Sequence, residues 1–372
     1  MPNVPKPKPS ILLLGSYGRG NLGDDVFLVA AAQLFAGRKL YINSANDELL
    51  PDIARSFVTT VSTISARDAL KKIKVFLEVD SIVYWGGDVW VKLYGDRFPR
   101  LPLYKMIALN VLARLWGKKI HYVGCGIGQL SGYSLWLARL SARLAQTVIV
   151  REKRSAALLA IPNVQVAADL AVNLPFYSPH RHRRPSHSKP FTVGISLLYH
   201  LPEPQHNFPR IVEHLSAFIA SLPPEKFRVI LMPMLVSDHE AHDDLWASRQ
   251  LQARLEAAGL SCEIYQAKDL ADWIRQVGLL DLVIGTRLHA NILATLNATP
   301  CLGIAYRPKV RSFFQDNNLD QHCIDLDSLR ELPKRFWALY QQYEETAKDF
   351  FAASSHNLEQ RVAYQEFIER YE

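Results

Sequence analysis

The segment Leu282-Val283-Ile284-Gly285-Thr286-Arg287-Leu288-His289-Ala290-Asn291 carries the strongest chemical signal in the chain. A buried β-rich run stops there, and Arg287 and His289 follow two residues apart where the next helix begins. Helix amides, an arginine fork and an imidazole then converge on one spot, which suits a carboxylate or phosphate. His289 is also able to move a proton near neutral pH. A lone histidine is more often a satisfied core residue, but an Arg-x-His pair at a strand-to-helix turn favours function. One strand later, Tyr306-Arg307-Pro308-Lys309-Val310-Arg311 supplies three more cations. Solvated surface accounts equally well for Arg307 and Arg311, while Lys309 is the better phosphate contact.

A second group lies near the amino terminus, in Gly15-Ser16-Tyr17-Gly18-Arg19-Gly20-Asn21-Leu22-Gly23-Asp24-Asp25. Gly18 to Gly23 satisfies G-x-G-x-x-G, and Asp47 follows the second strand. A lone match of this kind is weak evidence for a dinucleotide. The glycines also start late after the strand, and Asp24 and Asp25 fall where a pyrophosphate would need helix amides. Helix capping competes with function for Asp25, and less so for Asp24. Gly86-Gly87-Asp88 and Gly124-Cys125-Gly126-Ile127-Gly128 close two further strands, where glycine lets a ligand approach the backbone. The fifth strand ends in Val150-Arg151-Glu152-Lys153-Arg154-Ser155. An arginine at that edge needs an anionic ligand or a carboxylate, and Glu152 is the neighbour available to supply one. Asp238 to Asp244 resembles a metal site in composition only, and its spacing points instead to acids in the first turn of a helix.

These residues need elements to hold them. Strands are expected at Ser10–Leu14, Lys39–Asn43, Ser81–Trp85, Lys119–Val123 and Thr147–Val150, with helices at Asp24–Phe35, Leu101–Leu115 and Ser134–Leu144. In the second half, strands are expected at Phe191–Ser196, Arg228–Met232, Cys262–Tyr265, Leu282–Ile284 and Cys301–Ile304. Helices near Pro209–Ser221, Asp243–Ala258, Leu270–Val277 and Ala290–Leu296 separate them. The alternation predicts α/β architecture: two Rossmann-like domains with mostly parallel sheets facing a cleft. Residues 1–175 form the first domain and 191–331 the second. Residues 176–190, rich in proline, serine and basic side chains, form a linker, where His180, His182 and His187 read as solvated rather than metal-binding. Residues 332–372 form a helical tail.

Composition bounds the rest. The 372 residues suit two cores, with 49% apolar and 21% charged residues, the balance of an ordered globular chain. A net charge of +7 and a pI near 9.1 favour anionic small molecules or an acidic membrane surface and fall short of a nucleic-acid footprint. Cys125, Cys262, Cys301 and Cys323 lie far apart and read as reduced, largely buried thiols. No secretory signal is visible, and the apolar stretch Leu101–Trp116, broken by Lys105 and Arg114, reads as a buried amphipathic helix. A cytoplasmic protein is expected, with peripheral contact at the inner membrane face permitted by charge although no amphipathic anchor stands out.

Taken in order, Gly20-Asn21-Leu22-Gly23-Asp24-Asp25, Gly86-Gly87, Gly124-Cys125-Gly126-Ile127-Gly128, Val150 to Ser155, Ala168-Asp169, Arg287-Leu288-His289-Ala290 and Tyr306 to Val310 resemble the polysaccharide pyruvyl transferase family. The likeness runs from the first strand to Phe313. Asp88 departs from it, standing where the family usually has a third glycine, and so does Glu152, where aspartate is usual. The resemblance implies a GT-B-like fold, phosphoenolpyruvate as donor, and a sugar or glycan acceptor, lipid-linked in some cases; ketal formation needs no redox cofactor, and no metal is evident from residue spacing. It implies that Arg151, Arg287 and His289 hold the donor and that Asp24 is a candidate acid or base. Leu288, Lys309, Gly20, Asn21, Gly23, Asp25, Gly87 and Asp88 complete the expected substrate contacts, with His289, Asp24 and Arg287 as catalytic candidates. This assignment requires cations of both halves to face a common gap, with the Arg287 guanidinium open to the donor there rather than turned into a private ion pair remote from the interdomain opening. The alternatives are a nucleotide-sugar glycosyltransferase of the same architecture, a nicotinamide dehydrogenase resting on Gly18 to Gly23, and a catalytically idle sugar-binding protein.

Overall fold

The computed structural model describes residues 9–55, 58–62, 69–92, 98–177, 179, 189–199, 204–236 and 243–371. Two compact units account for the chain. The first comprises Met1–Arg19, Asp24–Leu174 and Gln360–Glu372, and the second comprises Gly20–Gly23 and Pro175–Glu359. Most of the expected linker, including its three histidines, lies outside the described residues, as do residues 237–242 of the acidic run.

The strands of the first unit are β1 (Ile11–Tyr17), β2 (Leu40–Ser44), β3 (Val58–Ser62), β4 (Ser81–Trp85), β5 (Asp88–Trp90), β6 (Lys119–Ile127), β7 (Thr147–Val150) and β8 (Val164–Val166). They form one sheet in the order β3-β2-β1-β4-β6-β7-β8, with β5 added beside β6. Every pairing is parallel. All five residues of β4, Ser-Ile-Val-Tyr-Trp, are buried, as expected where helices cover both faces of a parallel sheet. Between the strands run α1 (Leu22–Leu34), the single turn α2 (Asp52–Arg55), α3 (Ala69–Glu78), α4 (Leu101–Leu115), α5 (Gly132–Arg143) and α6 (Lys153–Leu159). Under α4 and α5, Tyr122 stacks on Tyr84 at 4.4 Å and on Trp90 at 4.5 Å. Asn110 serves both phenols, accepting from Tyr84 Oη at 2.9 Å and donating to Tyr122 Oη at 2.7 Å.

The second unit holds a six-stranded parallel sheet in the order β11-β10-β9-β12-β13-β14. Its strands are β9 (Phe191–Ser196), β10 (Phe227–Leu231), β11 (Glu263–Ile264), β12 (Leu282–Gly285), β13 (Cys301–Ala305) and β14 (Cys323–Asp325). The chain builds outward from β9 in one direction and then restarts on its other side with β12. That reversal opens a crevice beyond the carboxyl ends of β9 and β12. The helices are α7 (Pro204–Ala220), α8 (Asp244–Ala257), α9 (Leu270–Val277), α10 (Leu288–Leu296), α11 (Pro308–Asp316), α12 (Leu332–Gln341) and α13 (Tyr343–Glu359). Phe191, Phe218, Phe227, Phe336 and Tyr343 join one core cluster.

The stretch read from sequence as a tail forms α12, α13 and α14 (Val362–Tyr371), and its parts have different homes. α12 and α13 pack in the second unit, where the Tyr343 hydroxyl donates to Asp281 O at 2.9 Å and Ser354 Oγ to Leu296 O at 2.7 Å. α14 belongs to the first unit. Arg361, just before it, donates to Val172 O at 2.8 Å, and Tyr364 donates to Ala168 O. Apolar faces on successive helices look alike in sequence, so periodicity gives no hint of which core each face fills.

Candidate functional site

In the second unit, β12 delivers Thr286, Arg287 and His289 to the crevice beside β9. Thr286 stitches its rim: the Leu198 amide donates to its hydroxyl at 2.7 Å, and that hydroxyl donates to Ser196 O at 3.2 Å. Arg287 is the N-cap of α10, and the fully buried Asn291 holds the turn by donating to Gly285 O at 3.1 Å and Arg287 O at 3.0 Å. Leu288 is buried at the start of that helix. Arg307 caps α11 one strand over, with Lys309 in the first turn. Two helix amino termini therefore follow adjacent parallel strands and bias this end toward anions.

The Arg287 guanidinium is not open, contrary to the expectation from sequence. It grips Asp244 with both prongs, Nη2 to Oδ1 at 2.7 Å and Nε to Oδ2. Asp244 is buried in the first turn of α8 and also accepts from the Met234 and Leu235 amides at 3.2 and 3.1 Å. Burial pushes its carboxyl up, and Arg287 and the two amides pull it back. The pair is close to neutral, so Arg287 is fixed in plane and contributes little net charge. The sequence signal for Asp244 was its place in a helix's first turn, and nothing there named its partner 43 residues away.

The glycine-rich segment Gly20–Gly23 packs on the same cluster. Leu22 N donates to Met234 O at 3.0 Å, Asn21 bridges Leu235 in antiparallel fashion, and Asn21 Oδ1 accepts from Gly23 N at 3.1 Å. A Cβ on Gly23 would stand 2.5 Å from His289 Nδ1. That contact is too close for any side chain, so glycine here is what allows the imidazole its position. Sequence brings Gly20, Asn21, Gly23, Arg287, Leu288 and His289 forward as separate motifs, and the structure gathers all six with Asp244.

The first unit holds a different arrangement. Arg151 lies between two carboxylates, with Nη2 on Asp88 Oδ1 at 2.7 Å and Nη1 on Asp169 Oδ2 at 3.0 Å. Only 4% of the Arg151 side chain is exposed. Burial opposes its charge, but Asp88, Asp169 and Glu152 outweigh that and keep it protonated. Asp169 also accepts from Ala171 N at 3.0 Å. Glu152 is not the direct partner expected from sequence; its carboxylate accepts from Ser155 Oγ at 2.6 Å. Parallel pairing of β5 and β6 sets Asp88 beside Gly126, where an added Cβ would fall 2.7 Å from Asp88 Oδ1 and 3.1 Å from Arg151 Nε. Gly87 supports that join through a 2.8 Å bond from Gly126 N to its carbonyl.

Asp24 and Asp25 sit in the first turn of α1. Asp24 is half-buried and Asp25 is buried. Burial, helped by Asp24, raises the Asp25 carboxyl to about 7, which leaves it able to hold a proton at neutral pH. From sequence, Asp24 was the acid of choice, because burial of one of two adjacent carboxyls has no local signature. The four cysteines are free and buried. Among the described residues no group of three or more His, Cys, Asp or Glu could hold a metal, and no helix is long and apolar enough to cross a membrane.

A family model described as Polysaccharide pyruvyl transferase matches residues 21–308. No curated protein matches the chain. Among solved structures, Anabaena Alr3699/HepE in complex with UDP and glucose superposes with a TM-score of 0.61 at 14% identity, covering 97% of this chain and 98% of that one. The UDP-GlcNAc 2-epimerase of Neisseria meningitidis, bound to UDP-GlcNAc, gives 0.55 at 12% identity over 95% and 100% of the two chains. Acinetobacter baumannii MurG gives 0.54 at 13% identity over 95% and 99%. These likenesses establish the fold, α/β and GT-B-like with two mostly parallel sheets.

Proposed function

Because this chain belongs to the polysaccharide pyruvyl transferase family, we propose that it transfers pyruvate from phosphoenolpyruvate onto two hydroxyls of a sugar, forming a ketal in cell-surface or exopolysaccharide biosynthesis. The observation that supports this reading is the packing of Gly20–Gly23 against His289. Two segments far apart in sequence, both prominent in the family likeness, build one surface beside two helix amino termini.

The reaction asks for a proton on the methylene carbon of the donor, attack of one sugar hydroxyl on the adjacent carbon, loss of phosphate, and closure by the second hydroxyl. Of the two hydroxyl protons, one balances the new methyl group and the other leaves with phosphate. His289 is assigned the proton transfers. Because Asp244 offsets Arg287, the donor's negative charge rests on the amino termini of α10 and α11 and on Lys309, with Arg287 setting the geometry around His289. Asp24 and Asp25 are the second candidates for proton traffic, Asp25 by virtue of its raised pKa.

Acceptor-dependent phosphate release from phosphoenolpyruvate, run over a panel of sugars, tests the proposal. His289→Ala is expected to lower that release by roughly 100-fold or more, with thermal stabilisation by phosphoenolpyruvate retained. Stabilisation by UDP and none by phosphoenolpyruvate would favour a nucleotide-sugar glycosyltransferase instead. Wild-type protein bound by sugar yet releasing no phosphate would favour an idle sugar-binding protein.

A further inference from the structure

Helices α3, α4 and α5 lie in one layer on one face of the first unit's sheet. Leu103 and Met106 of α4, Leu137 of α5 and Phe76 of α3 all reach the same core cluster. Neighbouring contacts tie the layer together: Phe76 meets Trp116 edge-on at 6.2 Å, and α4 packs along α5. At the other end, the Arg100 guanidinium lies 5.7 Å from the Tyr133 ring and donates to Ser134 Oγ at 3.0 Å.

The outward side of such a layer is ordinarily polar. Here it is apolar and basic. Of the eighteen large hydrophobic residues exposed among the described residues, twelve fall between Leu70 and Trp136. On α3 they are Leu70, Ile73 and Leu77, one helical stripe, with Leu70 80% exposed. On α4 they include Leu101, Tyr104, Val111 and Leu115, again one stripe, with Leu115 76% exposed. Trp116, Tyr133 and Trp136 extend the patch with aromatic rings. The earlier reading of Leu101–Trp116 as buried is thus corrected: the helix buries one apolar side and exposes another.

Charge on this layer is mostly positive. Lys71, Lys72 and Lys74 flank the α3 stripe, and Lys105 and Arg114 flank that of α4. Between Arg100 and Arg143 the sequence has seven Lys and Arg and no Asp or Glu. That excess equals the net charge of the whole chain, +7. Glu78, which closes α3, is taken by Lys39. Exposed Leu, Trp and Tyr amid an excess of cations complement a surface with an anionic outer layer and an apolar interior.

We propose that the outer face of α3, α4 and α5 docks on an anionic lipid bilayer, seating Leu70, Leu115, Trp116 and Trp136 among the acyl chains and the lysines among the headgroups. Such docking sets where the protein works and does not depend on pyruvyl transfer.

Sedimentation of the full chain with vesicles of phosphatidylcholine alone, or with phosphatidylglycerol added, provides the test. The expected result is binding only to the phosphatidylglycerol vesicles, weakened by high salt. Leu70→Ser with Leu115→Ser, and separately Lys71→Gln, Lys72→Gln and Lys105→Gln together, should each lower the bound fraction by about tenfold. Both variants should melt as wild type does and keep phosphate release toward a soluble acceptor. Three outcomes overturn the proposal: no binding to either vesicle, equal binding to both, or a solution dimer that the leucine variant dissociates, which would mean that a second copy covers this face.

Discussion

The two strand-end arginines look alike in sequence and differ in the folded protein. Arg151 follows β7 in the first unit and is sealed between Asp88 and Asp169. Arg287 follows β12 in the second, paired with Asp244 and standing two residues from His289. One is an interior strut shared by two carboxylates. The other is a fixed edge beside a chemically able imidazole and a glycine segment shaped to admit it. A cation at a strand end is therefore only a candidate clamp, and the number of carboxylates around it decides how much charge is left for a ligand.

The largest effect expected from this contrast is on stability. Arg151→Met should cost roughly 3–5 kcal/mol by urea unfolding, because the buried Asp169 and the half-buried Asp88 both lose the guanidinium. Arg287→Met should cost about 1–3 kcal/mol, since Asp244 retains two backbone amides, yet it should abolish phosphate release. Equal losses of stability in the two variants would erase the distinction drawn between them.

Asp25 sharpens the comparison from the side of proton binding. Its folded-state pKa near 7 lies above the ordinary 3.8, so the folded chain holds more protons than the unfolded chain between those values, and stability falls as pH rises through that window. Asp25→Asn removes the penalty. It should stabilise the protein by on the order of 2 kcal/mol at pH 8, and the gain should vanish below pH 4. A gain independent of pH between 4 and 8 would exclude the raised pKa as its source.

Gly23→Ala is the mildest of the four substitutions. The methyl group cannot share space with His289 Nδ1, so the imidazole or the loop must yield. About a tenfold loss of phosphate release is expected from the displaced imidazole, with a change in melting temperature of only a few degrees. A variant of unchanged activity would separate the glycine segment from the site.

Much of the fold was legible because β4, β9 and β12 are short runs dominated by apolar residues and α9 and α10 begin and end near where sequence placed them. The chemical segments were legible too, since glycines and Arg-x-His at strand ends are local patterns. The pairings were not. Asp88 reaches Arg151 only through the register of β5 on β6 and of β6 on β7, and Asp244 reaches Arg287 through the packing of α8. Nor was α3 foreseen, because Ala-Leu-Lys-Lys-Ile-Lys-Val-Phe-Leu-Glu mixes outward leucines with lysines and hides which side is the core. The same ambiguity concealed the outer face of α4, where apolar residues occur on both sides of the helix.

The assignment of Gly20–Gly23 to the second unit and of α14 to the first has a practical consequence for dissecting the molecule. Severing the polypeptide between Leu174 and Phe191 would not yield two self-sufficient fragments. The amino-terminal piece would lack the Tyr364 and Arg361 anchors on Ala168 and Val172, and the carboxyl-terminal piece would lack the residues that shelter His289. Each fragment would have to borrow its missing strip from the other, so co-expressed halves should complement where neither alone is soluble.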